Sequence, residues 1–245
     1  MKHLAAILLL FLIASGCQTS DPRIELSRHF ELWKVLGSSA EGQPIYYNEC
    51  GTGDSVVLVF GCFHGDEQEG GQLVIRLAEL VNLQRADSLK NRIVFVPIVN
   101  PDGVAQRTRT NANGVDINRN FPTKNWSAEA TEKRYTPGPS PASEPETRLV
   151  MDLLERYKPA LIITVHTALH VINYDGPAKE IAERMAKHNG YRVSASIGYP
   201  TPGSFGTYAG VERNIPTITL ELPPVAIDES WEQNREAMWT VIGRR

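Results

Sequence analysis

The stretch "VVLVFGCFHGDEQEGGQLVIRL" (56–77) carries a strand, a polar turn and the start of a helix in one continuous segment. Its first residues are apolar and mostly β-branched, which is typical of a strand buried on both faces. From residue 68 onward, apolar residues recur at helical spacing along one face. The turn between the two concentrates an imidazole and three carboxylates, from His64, Asp66, Glu67 and Glu69. The segment therefore predicts an α/β unit with a chemical site where the strand meets the helix.

The rest of the chain continues this alternation of strands and helices. Further buried strands are predicted at 92–99, 160–166 and 215–224, and an edge strand within 42–53. Helices are predicted at 68–83, 144–157, 177–190 and 228–242. The pattern predicts a single-domain α/β sandwich with a mixed, largely parallel central sheet flanked by helices.

Two segments do not follow that alternation. Residues 104–143 are irregular and rich in Asn, Pro, Gly and Thr, and residues 198–210 form a shorter Gly-rich stretch. A loop as long as the first one inside a compact domain is usually functional. We therefore expect both segments to contribute to a binding site.

Composition bounds the class of protein. The chain has 245 residues, of which 42% are hydrophobic and 22% charged, as in an ordinary globular domain. The net charge is −3 and no basic block is present, which argues against nucleic acid as the main partner.

The N-terminal residues "MKHLAAILLLFLIASGC" (1–17) have the features of a secretory signal: Lys2, an apolar run and then small residues. Small residues directly before Cys17 resemble a bacterial lipoprotein signal, in which the cysteine is acylated. That resemblance implies a membrane anchor in the cell envelope, facing the periplasm, and Gln18 after the cysteine implies the outer membrane. The other interpretation is ordinary signal cleavage, with Cys17 incidental. Residues 18–44 are interpreted as a tether and lead-in.

Two further cysteines, Cys50 and Cys62, leave their redox state open. An oxidising periplasm permits a disulfide between them, but two buried free thiols fit the sequence equally well. Neither cysteine lies in a motif that would make it a nucleophile.

A polar residue lies at or near the end of each predicted strand of the parallel sheet. These residues are His64, Asn100, His166 and Glu221. Because ligands bind at the carboxyl ends of the strands in such sheets, we expect these side chains to share one site.

The first two candidate metal ligands are His64 and Glu67, which lie three residues apart. Zinc accepts imidazole and carboxylate ligands, and His166 is the best candidate for a third. Taken alone, the pair also fits an ordinary surface turn. The stretch "HTALH" (166–170) has histidines four apart, but Thr167 stands where a helical metalloprotease motif needs a glutamate. We therefore interpret His170 as a cleft-wall or structural residue.

Five motifs in a fixed order resemble the zinc carboxypeptidase family, most closely its murein peptide amidase type. They are "HGDE" (64–67), "NPDG" (100–103), "DINRNF" (116–121), the strand-ending His166 and "TITLEL" (217–222), and the loop "YPTPGS" (199–204) accompanies them. The resemblance covers roughly residues 55–225. It implies a hydrolase with one zinc ion and a catalytic domain over residues 45–245.

The same resemblance implies a role for each matching residue. His64, Glu67 and His166 correspond to the zinc ligands, and Glu221 to the general base. Arg109 corresponds to the arginine that polarises the scissile carbonyl, with Arg107 the competing choice. The remaining matches are Asp116, which orients a zinc-bound histidine, Asn118 and Arg119, which hold the free carboxylate of a substrate, and Tyr199, which closes over it.

Two of these assignments have structural alternatives. Glu221 shares a strand face with Thr217 and Thr219, so it faces either a cleft or a buried arginine partner. Tyr199 is either the closing tyrosine or a packing residue.

The resemblance and the expected location in the cell envelope together imply that the substrate is the γ-D-glutamyl–meso-diaminopimelate bond of murein peptides. Three alternatives remain: a general metallocarboxypeptidase acting on protein C-termini, a deacylase of the aspartoacylase kind, and a non-catalytic lipoprotein that binds peptides or wall fragments. No residue in the sequence is singled out for recognition of the D-centre of diaminopimelate.

Overall fold

The computed structural model describes residues 21–28, 30–84, 86 and 89–243. The expected signal peptide (1–17), which includes Cys17, the expected acylation site, lies outside these residues. No helix in the described part of the chain is both long and apolar enough to cross a bilayer.

One eight-stranded sheet forms the centre of the molecule, in the order β1-β2-β4-β3-β5-β8-β6-β7. The strands are β1 (Lys34–Ser38), β2 (Pro44–Cys50), β3 (Val56–Gly61), β4 (Arg92–Val96), β5 (Leu161–Thr167), β6 (Val171–Asp175), β7 (Arg192–Ser194) and β8 (Thr217–Leu222). The helices are α1 (Pro22–Arg28), α2 (Gln68–Asn82), α3 (Pro101–Gln106), α4 (Pro145–Tyr157), α5 (Lys179–Asn189) and α6 (Ile227–Ile242).

The four central strands, β4, β3, β5 and β8, are parallel, whereas β2 and β6 join them in antiparallel orientation on the two sides. This confirms the predicted mixed sheet with a largely parallel centre. Their register brings the carboxyl ends of β3, β5 and β8 to one edge, where His166 is the direct neighbour of Glu221.

Each face of the sheet buries a separate apolar cluster. Along β3, Val57 and Val59 pack into the cluster beneath α2, α5 and α6, while Leu58 and Phe60 pack into the cluster on the opposite face, which includes α4. Burial of each such side chain contributes about 1.5–3 kcal/mol to folding. The rigid sheet that results holds the ends of its strands in fixed positions.

The predicted tether over residues 18–44 is wrong for its described part. Residues 22–38 contain α1, a 3₁₀ turn and strand β1, and Leu26 and Trp33 are buried in the main core cluster. Strand β1 pairs with β2, so β2 is not the edge strand that its sequence predicted. The folded domain therefore begins before residue 45, because the apolar residues of this segment have a core to pack against.

Several elements were not predicted. Strands β6 and β7 extend the sheet beyond β8, and the "NPDG" turn begins α3, whose first turn is capped by Asn100 Oδ1 accepting from Gly103 N at 2.8 Å. A π-helical turn, Gly206–Val211, interrupts the Gly-rich loop.

The cysteine question resolves in favour of free thiols. Cys50 and Cys62 are both buried and unpaired. Cys50 ends β2 and Cys62 follows β3, and strand β4 lies between these two strands, which separates the side chains.

Candidate active site

Three side chains converge from two neighbouring strands. His64 lies in the turn after β3, Glu67 immediately precedes α2, and His166 belongs to the last residues of β5. The turn carrying His64 packs directly against α3, because a Cβ at Gly65 would overlap the backbone of Gly103. This contact requires glycine in the "HGDE" motif, whereas the glycine of "NPDG" is required because a Cβ at Gly103 would overlap the Asn100 side chain and the carbonyl oxygen of Thr110.

The carboxylate of Glu67 bridges the two imidazoles. Its Oε1 lies 2.7 Å from His64 Nδ1 and its Oε2 lies 2.7 Å from His166 Nδ1. The two Nδ1 atoms are 3.3 Å apart, and potential ligand atoms of all three residues lie within 4.8 Å of one another. All three residues are buried.

This donor set fits a zinc ion. Two imidazoles and a glutamate are one of the known ligand sets of catalytic zinc, with a further position left open. Burial by itself would lower the pKa of His64, but the carboxylates of Glu67 and Asp116 outweigh it and raise that pKa to about 9. The two carboxylates thus stabilise positive charge at this site, and a divalent cation bound by the same atoms would supply that charge.

Asp116 holds His64 from the opposite side of the ring. This fully buried carboxylate places Oδ1 3.2 Å from His64 Nε2 and accepts from Arg109 Nε through Oδ2 at 2.9 Å. Although burial would raise the pKa of Asp116, the charges of His64 and Arg109 hold it below its usual value. A partner on Nε2 orients the imidazole so that Nδ1 faces the other two ligands.

Glu221 lies beside this centre with one oxygen free. Its Oε2 is buried and has no hydrogen-bond partner among the described residues. Burial raises the pKa of Glu221, and the nearby imidazole of His166 only partly opposes this. The alternative of a salt bridge to a buried arginine is not found in the described chain, so the carboxylate is available to exchange a proton in the cleft.

A cleft of about 370 Å³ opens in front of these groups. The other predicted site residues that line it are Arg109, Asn118, Arg119 and Tyr199. Asn118 is oriented by Phe205 N, which donates to its Oδ1 at 2.8 Å. Arg119 is 5% exposed, and its Nη1 donates to the carbonyl oxygen of Asn118 at 2.7 Å.

The structure also separates Arg109 from its competitor. Arg109 lines the cleft and its Nη1 lies 3.4 Å from Glu67 Oε1, whereas Arg107 is exposed at the end of α3 and does not line the cleft. Tyr199 stands at the rim with 45% of its surface exposed. His170 packs edge-on against the ring of Tyr191, in keeping with a structural role.

A sequence model of the family described as zinc carboxypeptidase matches residues 27–237. This chain belongs to the zinc carboxypeptidase family. Among curated relatives, murein peptide amidase A of Escherichia coli K12 is 34% identical over 196 residues, covering 76% of this chain and 78% of the relative. Murein peptide amidase A of Vibrio campbellii is 32% identical over 234 residues, covering 90% and 91% of the two chains.

Solved structures place this zinc carboxypeptidase in the same fold. The murein-tripeptide amidase of Escherichia coli O157 superposes with a TM-score of 0.72 at 32% identity, covering 85% of this chain and 90% of the other. Carboxypeptidase A from Helicoverpa armigera gives a TM-score of 0.71 at 22% identity, covering 88% and 68%, and supports the fold alone. The family is one of zinc-dependent hydrolases, and the cluster of His64, Glu67 and His166 supplies a metal site of the matching kind.

Some cleft residues of this carboxypeptidase were not identified from its sequence. Tyr135 lies between two site arginines, with Arg109 5.1 Å and Arg119 5.4 Å from its ring centroid. Asn173 and Asp175 line the other end of the cleft. A sequence pattern could have identified Asn173 and Asp175, because they alternate with the apolar Ile172 and Tyr174 as in a half-buried strand.

Proposed function

We propose that this zinc carboxypeptidase hydrolyses the γ-D-glutamyl–meso-diaminopimelate amide bond of murein peptides. One observation carries the proposal: a buried carboxylate oxygen of Glu221 is free beside a His-Glu-His centre, in a cleft that also contains a buried arginine. The likeness to two murein peptide amidases over most of their length supports the substrate class.

Substrate binding is assigned to Asn118 and Arg119. The guanidinium of Arg119 can hold the free terminal carboxylate in two parallel hydrogen bonds, and burial strengthens such a pairing. The contact of Asn118 with the backbone of Phe205 fixes the side-chain amide before substrate arrives. Binding of the carboxylate at this point orients the scissile amide toward the ligand centre.

Catalysis then depends on proton movement at Glu221. A zinc ion held by His64, Glu67 and His166 would supply Lewis acidity, which acidifies water and polarises a carbonyl. Glu221 Oε2 accepts the proton of the attacking water and returns it to the nitrogen of the leaving amine. A pKa raised by burial suits a group that must first take a proton and then release it.

Arg109 is assigned to the carbonyl oxygen that becomes negative during attack. Its Nε is held by Asp116 and its Nη1 approaches Glu67, which leaves other N–H donors of the guanidinium for the cleft. Tyr199, at the rim, is assigned to cover bound substrate.

The test compares two substrates with the same terminal residue. L-Ala-γ-D-Glu-meso-diaminopimelate and an ordinary α-linked L-peptide are incubated with the zinc-loaded enzyme, and released diaminopimelate is quantified by mass spectrometry. Faster cleavage of the γ-linked peptide is expected. Faster cleavage of α-linked L-peptides would instead support the general metallocarboxypeptidase, and binding without cleavage of either would support the non-catalytic alternative.

We also propose that the protein is anchored in the outer membrane, facing the periplasm, through acylated Cys17. The support is the run of small residues before Cys17 and the Gln18 that follows it. Metabolic labelling with a fatty acid should mark the wild type and Thr19→Ala, the matched control, but not Cys17→Ala. Equal labelling of Cys17→Ala would contradict the anchor.

A further inference from the structure

A second acidic group lies in the cleft, away from the metal ligands. Asp175 ends β6, whose antiparallel register with β8 pairs Asp175 with Thr217, Asn173 with Thr219 and Val171 with Glu221. Directly paired residues point to the same face of a sheet. Asp175 therefore shares the cleft face with Glu221, and both line the cavity together with Asn173 and Thr219.

The carboxylate of Asp175 has a fixed place in that cavity. It lies over the π-helical turn, where a Cβ at Gly206 would come within 2.3 Å of Oδ2 and a Cβ at Gly210 would overlap the Asp175 side chain. Two glycines thus make room for this one side chain. Gly206 itself lines the cleft, so the carboxylate lies at the cleft wall.

No partner neutralises this carboxylate. Within the described residues, Asp175 forms no ion pair or side-chain hydrogen bond, and burial alone raises its pKa to about 6. Its cleft neighbours Asn173, Thr219 and Ser204 are polar but uncharged. A partly buried, ionised carboxylate without a partner destabilises the fold, which points to a cationic group that arrives from outside.

The distance between Glu221 and Asp175 along the sheet limits the length of the side chain that could carry this cation. Four residues separate the Glu221 and Asp175 positions on the shared face, roughly 13 Å at about 3.3 Å per residue. Strand side chains stand roughly perpendicular to the sheet, so the two carboxylates keep about this separation. A hydrogen bond from Glu221 to the leaving nitrogen, its bond to the α-carbon, an amine-bearing side chain of five single bonds (roughly 6 Å) and a hydrogen bond to Asp175 together span about the same distance.

We propose that Asp175 is a specificity residue that binds a primary ammonium group at the end of the leaving residue's side chain. The inference rests on the proposed function and deepens it. In meso-diaminopimelate this ammonium is the amine of the D-centre. The ε-ammonium of a terminal lysine has the same reach and the same chemistry, so the experiment must separate these two sources.

The test uses three peptides of the form L-Ala-γ-D-Glu-X. X is meso-diaminopimelate, L-lysine or L-2-aminopimelate, which retains the distal carboxylate of diaminopimelate but lacks its distal amine. The zinc-loaded wild type is compared with Asp175→Asn, an isosteric change that removes the charge. Asp152→Asn, on the exposed side of α4, is the matched control for loss of one carboxylate.

Asp175→Asn should lower kcat/KM for the two amine-bearing peptides by about 10–100-fold, the range expected for a hydrogen bond to a charged group. The aminopimelate peptide should be cleaved at the wild-type rate or faster, which also shows that the variant is folded. Asp152→Asn should match the wild type on all three. A wild-type preference for diaminopimelate over lysine would assign the D-centre as the source, and the reverse order would assign lysine.

The opposite results are equally definite. If the wild type cleaves the aminopimelate peptide as well as the diaminopimelate peptide, or if Asp175→Asn keeps the wild-type preference for the amine, Asp175 does not bind the ammonium. Either result leaves the proposed function intact. Failure of the wild type to cleave any γ-linked peptide, while cleaving α-linked ones, would overturn the proposed function instead.

Discussion

The two ends of the cleft differ in how their charged groups are held. At the end that contains the metal ligands (the ligand end), Glu67 contacts both imidazoles. Asp116 is bound there by His64, Arg109 and the backbone N–H of Asn118. At the other end (the open end), Asp175 has no polar partner in the described chain. Glu221, which lies beside the metal ligands, keeps one oxygen free.

This difference separates groups that are positioned in advance from groups that wait for substrate. The ligands must hold one geometry throughout turnover, and a closed hydrogen-bond network provides that. A proton acceptor and a specificity group need lone pairs that are free until substrate or water arrives. Buried groups without partners reduce stability, so Asp175 and the free oxygen of Glu221 are expected to lower the free energy of unfolding.

The largest expected effect comes from Glu221, the free carboxylate beside the metal ligands. Glu221→Gln preserves shape but removes the proton acceptor, so kcat should fall by about 10²–10⁴-fold or more, while zinc content stays at the wild-type value. Turnover and zinc content are measured on the same preparation. Comparable turnover by the variant would show that Glu221 is not the base.

Arg119→Lys tests the carboxylate-binding part of the cleft. Lysine keeps the charge but loses the planar fork, so kcat/KM should fall by roughly 10–100-fold for peptides with a free terminal carboxylate. The same substrate with an amidated terminus is the control, because it lacks the second carboxylate oxygen. An equal fall for both substrates would place Arg119 in a structural role.

Asp116→Asn tests the closed network itself. The asparagine can still contact His64 but carries no charge, and zinc affinity should fall by about 10–100-fold, as for other residues that support metal ligands. Titration of the metal-free variant with zinc and a competing chelator measures the change. Unaltered affinity would mean that the contact with Asp116 does not orient His64.

The smallest effect concerns stability at the open end. The folded-state pKa of Asp175, about 6, lies above its ordinary value, so folding disfavours the ionised form. The resulting penalty is absent below the unfolded pKa, grows as pH rises and is complete above about pH 6. Asp175→Asn should therefore raise the melting temperature near pH 7.5 and not near pH 4.

The size of that shift is modest because the group is only partly buried. After discounting for solvent, we expect on the order of 1 kcal/mol, or roughly 2–4 °C for a domain of this size. Asp152→Asn, an exposed site, should show no such pH dependence. Equal shifts in the two variants would indicate that Asp175 is solvated in the folded protein.

The sequence was most informative where local pattern and chemistry coincide. The apolar run of β3 predicted a buried central strand, and the polar residues after β3 and β5 predicted the cluster of His64, Glu67 and His166. Motif order carried the rest of the site, including Asp116, whose contact with His64 spans 52 positions in the chain. No periodicity argument could have found that contact.

The failures have physical causes as well. Strand β1 was interpreted as part of a tether because its pattern is weak, and distant segments stabilise it, through pairing with β2 and packing of Leu36 against the core. Strand β6 is short and follows β5 closely, so the brief alternation of Asn173 and Asp175 with apolar residues was overlooked, and its register with β8 shows that both residues lie on the face of Glu221. A cavity lined by segments far apart in the chain produces little recognisable pattern in the sequence of any single segment.

The most direct test of the account is a crystal structure of the zinc-loaded protein with anomalous scattering data collected at the zinc edge. We predict one peak within bonding distance of His64, Glu67 and His166, with Glu221 close by but not bound to the metal. A peak at another site, a peak ligated by Glu221, or a zinc-loaded preparation without a peak among these three residues would contradict it.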